Sequence, residues 1–125
     1  MIKKLRLTLL LPAIMLCFGC TKEPDKVSFK NDIMPIFKQN CSVCHLEGGM
    51  GYNASGFSVE SYESIMKGTK FGPVIQAGKS VSSTLKVLLE HKADPKINMP
   101  KQAPKLSDDK IQLISKWIDQ GAKNN

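Results

Sequence analysis

The stretch Cys41-Ser42-Val43-Cys44-His45 decides how the rest of this 125-residue chain reads. Two thiols separated by two residues, with an imidazole directly after the second, form the attachment pattern of a c-type haem. The chemistry needs that order. Each thiol adds to one vinyl group of the porphyrin, so two thioether bonds form. The two-residue gap lets both sulfurs meet the same face of the ring within one turn of backbone. The histidine beside the second thiol then lies under the iron and becomes its proximal ligand. Of the two histidines in the chain, only His45 adjoins a cysteine.

A cysteine pair can instead be half of a zinc site, which takes four ligands. The remaining cysteines, Cys17 and Cys20, fall in a leader, so a zinc site would have to recruit His45 and His91 beside Cys41 and Cys44. A thioredoxin-like redox pair needs a βαβ context, which the pattern does not offer. Haem attachment is the leading expectation.

A haem held by His45 wants a second axial ligand or an open site. Met99 lies in a loop and is followed by Pro100, whose fixed φ stiffens the approach of the thioether. A thioether favours reduced iron and raises the potential relative to two imidazoles. His91, which would give a bis-histidine iron, and Met50 are the rivals. Met50 is only five residues beyond His45, a short span for a chain crossing from one porphyrin face to the other.

Ahead of the motif, Phe29, Ile33, Ile36 and Phe37 recur at helical spacing. Ser28 or Asn31 can cap the start, and Pro35 predicts a kink or a start near Asn31, with the helix ending just before Cys41. Beyond the motif, residues 46–57 carry Gly48, Gly49, Gly51 and Gly56 without periodicity. This predicts a loop, either wrapping one porphyrin edge or forming a surface excursion. A helix capped by Ser58 follows over residues 59–67, closed by Gly68. Residues 69–78 are turn-rich. One of Ser80, Ser82 or Ser83 starts a helix with Leu85, Leu88 and Leu89 that reaches Glu90. Ser107 caps the clearest helix, with Asp108 and Asp109 at its positive end and Gly121 closing it. Its stripe of Ile111, Ile114, Trp117 and Ile118 is expected to pack on the Phe29–Phe37 stripe.

The chain opens with Lys3, Lys4 and Arg6 before a short apolar run, Leu7 to Leu16, as in a secretory signal. The run is shorter than the roughly 20 residues a spanning helix needs. Gly19-Cys20 resembles the cleavage site of a bacterial lipoprotein leader, with Cys20 as the lipidated residue, although Cys17 and Phe18 depart from that pattern. The predicted organisation is a leader over residues 1–19, a tether over 20–27 and one domain over 28–125. Export to the periplasm or cell envelope, with a lipid anchor in the membrane, agrees with haem attachment.

Loss of the leader lowers the basic residues from 18 to 15 and leaves all 11 acidic ones, so the net charge of +7 becomes +4. No basic stretch has interleaved aromatics, which argues against nucleic acid as a partner. Scattered lysines can steer an acidic redox partner.

Residues 29–121 resemble a class I c-type cytochrome domain, closest to the short bacterial form of Planctomycete-type modules. The resemblance rests on Asp32-Ile33-Met34-Pro35-Ile36-Phe37 ahead of the haem motif, Tyr62 to Gly68, Gly78-Lys79-Ser80, Ser83-Thr84-Leu85, Met99-Pro100, and Leu106-Ser107 through Trp117-Ile118-Asp119-Gln120-Gly121-Ala122. It implies an all-α fold of about four short helices around one covalent haem c, the first and last crossing. It carries Cys41 and Cys44 over as thioether sites, His45 as proximal ligand and Met99 as distal ligand. It also implies a one-electron carrier between redox partner proteins rather than an enzyme. The alternative is a haem peroxidase or small-ligand sensor, which needs a labile sixth position. In mitochondrial-type members, a proline soon after the haem histidine offers the carbonyl that orients the imidazole. Here the first proline after His45 is Pro73, so that partner stays unassigned.

Overall fold

Pro35 sets the form of the first element. It has no amide proton and cannot bond the fourth preceding carbonyl of an α-helix. In the computed structural model, which describes residues 25–125, the chain answers with a π turn, Phe29–Ile33, running without a break into helix α1, Met34–His45. Ile33 N donates to the Ser28 carbonyl at 3.2 Å and Met34 N to that of Phe29, each five residues back. Pro35 thereby falls in the first turn of α1, where a missing donor costs nothing. Ser28 caps the element. Its hydroxyl accepts from Asn31 N at 3.2 Å, and the Asp32 carboxylate accepts from Ser28 N at 2.7 Å.

Two boundaries near the motif differ from the sequence expectation. Helix α1 does not stop before Cys41 but carries the whole motif to His45, because no proline or glycine interrupts residues 36–45. The glycine-rich segment is not all loop. It contains a helix, α2, Met50–Ser55, which Gly56 ends at φ 75°. The next helix, α3, spans Tyr62–Lys67 and is shorter than expected. Ser61, not Ser58, caps it, in a reciprocal pair where Ser61 Oγ accepts from Ser64 N at 3.1 Å and Ser64 Oγ from Ser61 N at 2.9 Å. Val59, expected inside that helix, is instead a core residue of the irregular stretch before it.

A 3₁₀ turn, Ser80–Ser82, leads into α4, Thr84–Leu89, and α5 spans Asp108–Asp119 behind Ser107. The described residues are thus all α, with five helices and no strand. Their sole β contact is an isolated bridge between Thr69 and Gly72. No helix among them is long and apolar enough to cross a membrane. The expected leader over residues 1–19, the lipidation candidate Cys20 and the tether up to residue 24 lie outside the described residues. Val27, placed at the end of that tether, is 5% exposed and its N–H donates to Gln120 Oε1 at 2.9 Å, so the packed part already includes it.

The apolar stripe of α5 packs on the π turn and on α4. Phe29 sits between two rings, 5.4 Å from Trp117 and 5.1 Å edge-on from Tyr62. The polar ends of both rings are satisfied. Trp117 Nε1 donates to the Lys123 carbonyl at 2.9 Å and the Tyr62 hydroxyl to the Ala122 carbonyl at 2.7 Å. Ile33, Phe37, Ile65, Ile114, Ile118 and Ala122 complete the buried centre. The first described residues are clasped to the last. Gln120 Nε2 donates to the Asp25 carbonyl, Asn125 Nδ2 to the Val27 carbonyl and Lys30 N to the Asn125 carbonyl. Ser80 joins α5 from the other side, its N–H and hydroxyl both donating to the Asp119 carboxylate at 2.7 and 2.8 Å.

Candidate functional site

Continuation of α1 through the motif fixes its geometry. Cys41 and Cys44 are three residues apart on a helix, so they share one side. Both are free thiols and half-buried. Val43, between them, points outward at 90% exposure. Cys41 packs against the core, and burial pushes its thiol up to about 11, the neighbouring Cys44 adding to the effect.

His45 ends the helix and is buried. Its carbonyl accepts from Val59 N at 2.9 Å. Its ring Nδ1 lies 3.1 Å from the Phe57 carbonyl, and the Phe57 ring stands edge-on at 5.3 Å. A carbonyl can only accept, so Nδ1 carries the proton. In the neutral ring Nε2 then presents its lone pair. No hydrogen bond among the described residues engages Nε2. The Phe57 carbonyl, twelve residues on, is thus the hydrogen-bond partner of the His45 ring, which the sequence left unassigned.

The glycine-rich segment makes that geometry possible. A Cβ on Gly51 would lie 2.7 Å from His45 Cε1 and 2.9 Å from Nε2, and one on Gly49 would lie 2.5 Å from the Cys44 carbonyl oxygen. Helix α2 therefore passes the Cε1–Nε2 edge of the imidazole with bare backbone. The donor set fits a haem c on these grounds. Two thiols share a helix side, an imidazole of fixed tautomer has a free Nε2, and the adjoining backbone carries no side chain that would fill the space. Gly51 and the Phe57 carbonyl were missed at the level of sequence. The glycine run was the available signal, while a main-chain carbonyl leaves no residue-type signature.

Met99 lies on a different segment, half-buried against the core. Its N–H donates to the Leu88 carbonyl at 3.1 Å, its carbonyl is 3.1 Å from His91 Nε2, and the Met99-Pro100 bond is cis. Both rivals lie at the surface. Met50 is 69% exposed on α2, and His91 is exposed and spends Nε2 on Met99. Among the described residues no three His, Cys, Asp or Glu side chains gather in metal-holding geometry, so Cys41, Cys44, His45 and His91 do not assemble the alternative zinc set. Two surface cavities lie away from the motif. One of about 430 Å³ is lined by His91, Asn98 and Pro100, and one of about 520 Å³ by Lys86, Ile111 and Lys116. Comparison with family models, curated proteins and solved structures gives no match for the chain.

Proposed function

We propose that the chain is an exported monohaem c-type cytochrome that carries single electrons between redox partner proteins. The observation that carries this reading is the motif on one helix end, with His45 Nδ1 tied to the Phe57 carbonyl and Nε2 left free. Cys41 and Cys44 would hold the haem through thioether bonds, and His45 through Nε2 and Met99 through its thioether would hold the iron. When bound, haem supplies a ferrous–ferric one-electron couple. The chain's own work is to keep the environment of that couple unchanged between oxidation states. The Phe57 carbonyl holds the imidazole in one tautomer and one orientation. Gly51 lets α2 run beside the imidazole without displacing it, and Gly49 lets the start of α2 approach the Cys44 carbonyl. Burial of His45, with the Phe57 ring edge-on beside it, keeps water from competing for the ring.

Cys20 lipidation would tether the domain to a membrane, with the domain facing the periplasm or cell envelope. The test is the mass of the exported protein, expected to exceed the processed polypeptide by one haem, with Cys41 and Cys44 both resistant to alkylation. A bare polypeptide mass with two free thiols would end the proposal. Carbon monoxide binding to the reduced protein separates a carrier from the peroxidase or sensor alternative. A sixth position held by Met99 resists it, whereas a labile one takes it up rapidly.

A further inference from the structure

The structure assigns His91 a positioning role: its ring clamps the main chain of Met99 and so holds the thioether for the iron. This inference rests on the reading of Met99 as the distal ligand. The loop from Glu90 to Met99 is closed on itself. His91 N and Lys92 N donate back to the Leu88 and Val87 carbonyls at 3.2 and 3.0 Å, finishing the end of α4. Asn98 then bridges the loop, its Oδ1 accepting from Ala93 N at 3.1 Å and its Nδ2 donating to the Ala93 carbonyl at 3.3 Å. Ile97 N and Asn98 N both donate to the Asp94 carbonyl. The chain thereby returns to where it left, and Met99 N reaches the same Leu88 carbonyl that His91 N uses. One polar group of Met99 remains, its carbonyl, and His91 Nε2 meets it at 3.1 Å. The acceptor is a carbonyl, so Nε2 is the donor and carries the proton.

The backbone at His91 makes the assignment specific. His91 has φ +57°, the left-handed region, which glycine adopts most readily. A residue serving only to turn the chain there would be best as glycine. Histidine at this position instead uses the turn to aim a ring across the loop. With Met99 held at N–H by α4 and at its carbonyl by His91, followed by Pro100 with its fixed φ, the main chain on both sides of the sulfur-bearing residue has little freedom. The same bond explains why His91 is not itself the ligand. Binding iron through Nε2 would break it.

The test uses the haem-loaded full chain and the variants His91→Gly, His91→Gln and Met99→Ala. His91→Gly relieves the left-handed backbone while deleting the donor, so a purely structural role predicts unchanged or higher thermal stability and unchanged spectra. A positioning role predicts a weakened thioether–ferric iron charge-transfer band, a lower midpoint potential, and a rise of roughly three- to tenfold in carbon monoxide uptake by the reduced protein, the size expected for one lost hydrogen bond. His91→Gln, which keeps an amide donor, should recover most of each readout. A wild-type charge-transfer band that Met99→Ala abolishes establishes the ligand. With that established, wild-type band, potential and carbon monoxide uptake in His91→Gly overturn the positioning role alone. Absence of the band from the wild-type protein overturns it together with the Met99 reading.

Discussion

A methyl group on Gly51 would lie 2.7 Å from His45 Cε1, closer than packed carbons tolerate, with rigid backbone on one side and a buried ring on the other. Gly51→Ala should therefore turn the imidazole away from the Phe57 carbonyl. The expected outcome is a loss of about 1–3 kcal/mol, the usual cost of overpacking, read from the urea midpoint, together with lower haem content per chain. Cys41 gives a pH dependence specific to the chain without haem. Burial raises its thiol from 9.0 to about 11, so the folded state binds the proton more tightly than the unfolded one. Stability from this group is full below the unfolded value and is lost as pH rises through the folded one. Alkaline titration from pH 9.0 to 11 should thus destabilise the chain lacking haem. The haem-attached protein, with a thioether at 41, should show no such loss from this position. Chemical unfolding at stepped pH checks both. Legibility at this scale divides by chemistry. Cys41, Cys44 and His45 stand out because their order and spacing are those that the proposed haem attachment would need. The Phe57 carbonyl is main chain and could belong to any residue type, so only the fold reveals it.

Among the elements, the motif-bearing helix shows how far local signals reach. Ile36 and Phe37 lie on its buried side, Phe29 and Ile33 are buried in the π turn that leads into it, and Ser28 caps that turn. Two things escaped. The π turn that absorbs Pro35 is a tertiary solution to a local defect, and sequence offers only the defect. The α2 helix is six residues long, with Gly51 inside it and Gly56 ending it. Propensity alone disfavours a helix there, and contact with the end of α1 supports it instead. The 3₁₀ turn is fastened to α5 by both atoms of one carboxylate. Asp119→Ala leaves the buried Ser80 hydroxyl and N–H without acceptors, an expected loss of about 2 kcal/mol by thermal or urea unfolding. Asp119→Asn, which keeps one oxygen acceptor, should recover part of it.

Across the whole molecule, the core is centred where α5 packs on the π turn. The stripe of Ile111, Ile114, Trp117 and Ile118 is buried throughout, as its period implies. Trp117 is 1% exposed and meets Phe29, so Trp117→Ala should cost about 3–5 kcal/mol and lower the melting temperature more than any surface change. The all-α class and the meeting of first and last stripes were legible because amphipathic period and cap residues agree along the chain. The placement of Met99 was legible only as a loop residue, since the bonds that close its loop run between backbone groups. The clasp between residues 25–30 and residues 120–125 carries a mechanical consequence. A tug arriving along the segment ahead of Val27 does not peel α1 from its N-terminal end. It first meets the hydrogen bonds of Gln120 and Asn125 at the far end of the chain, which must open before α1 is pulled.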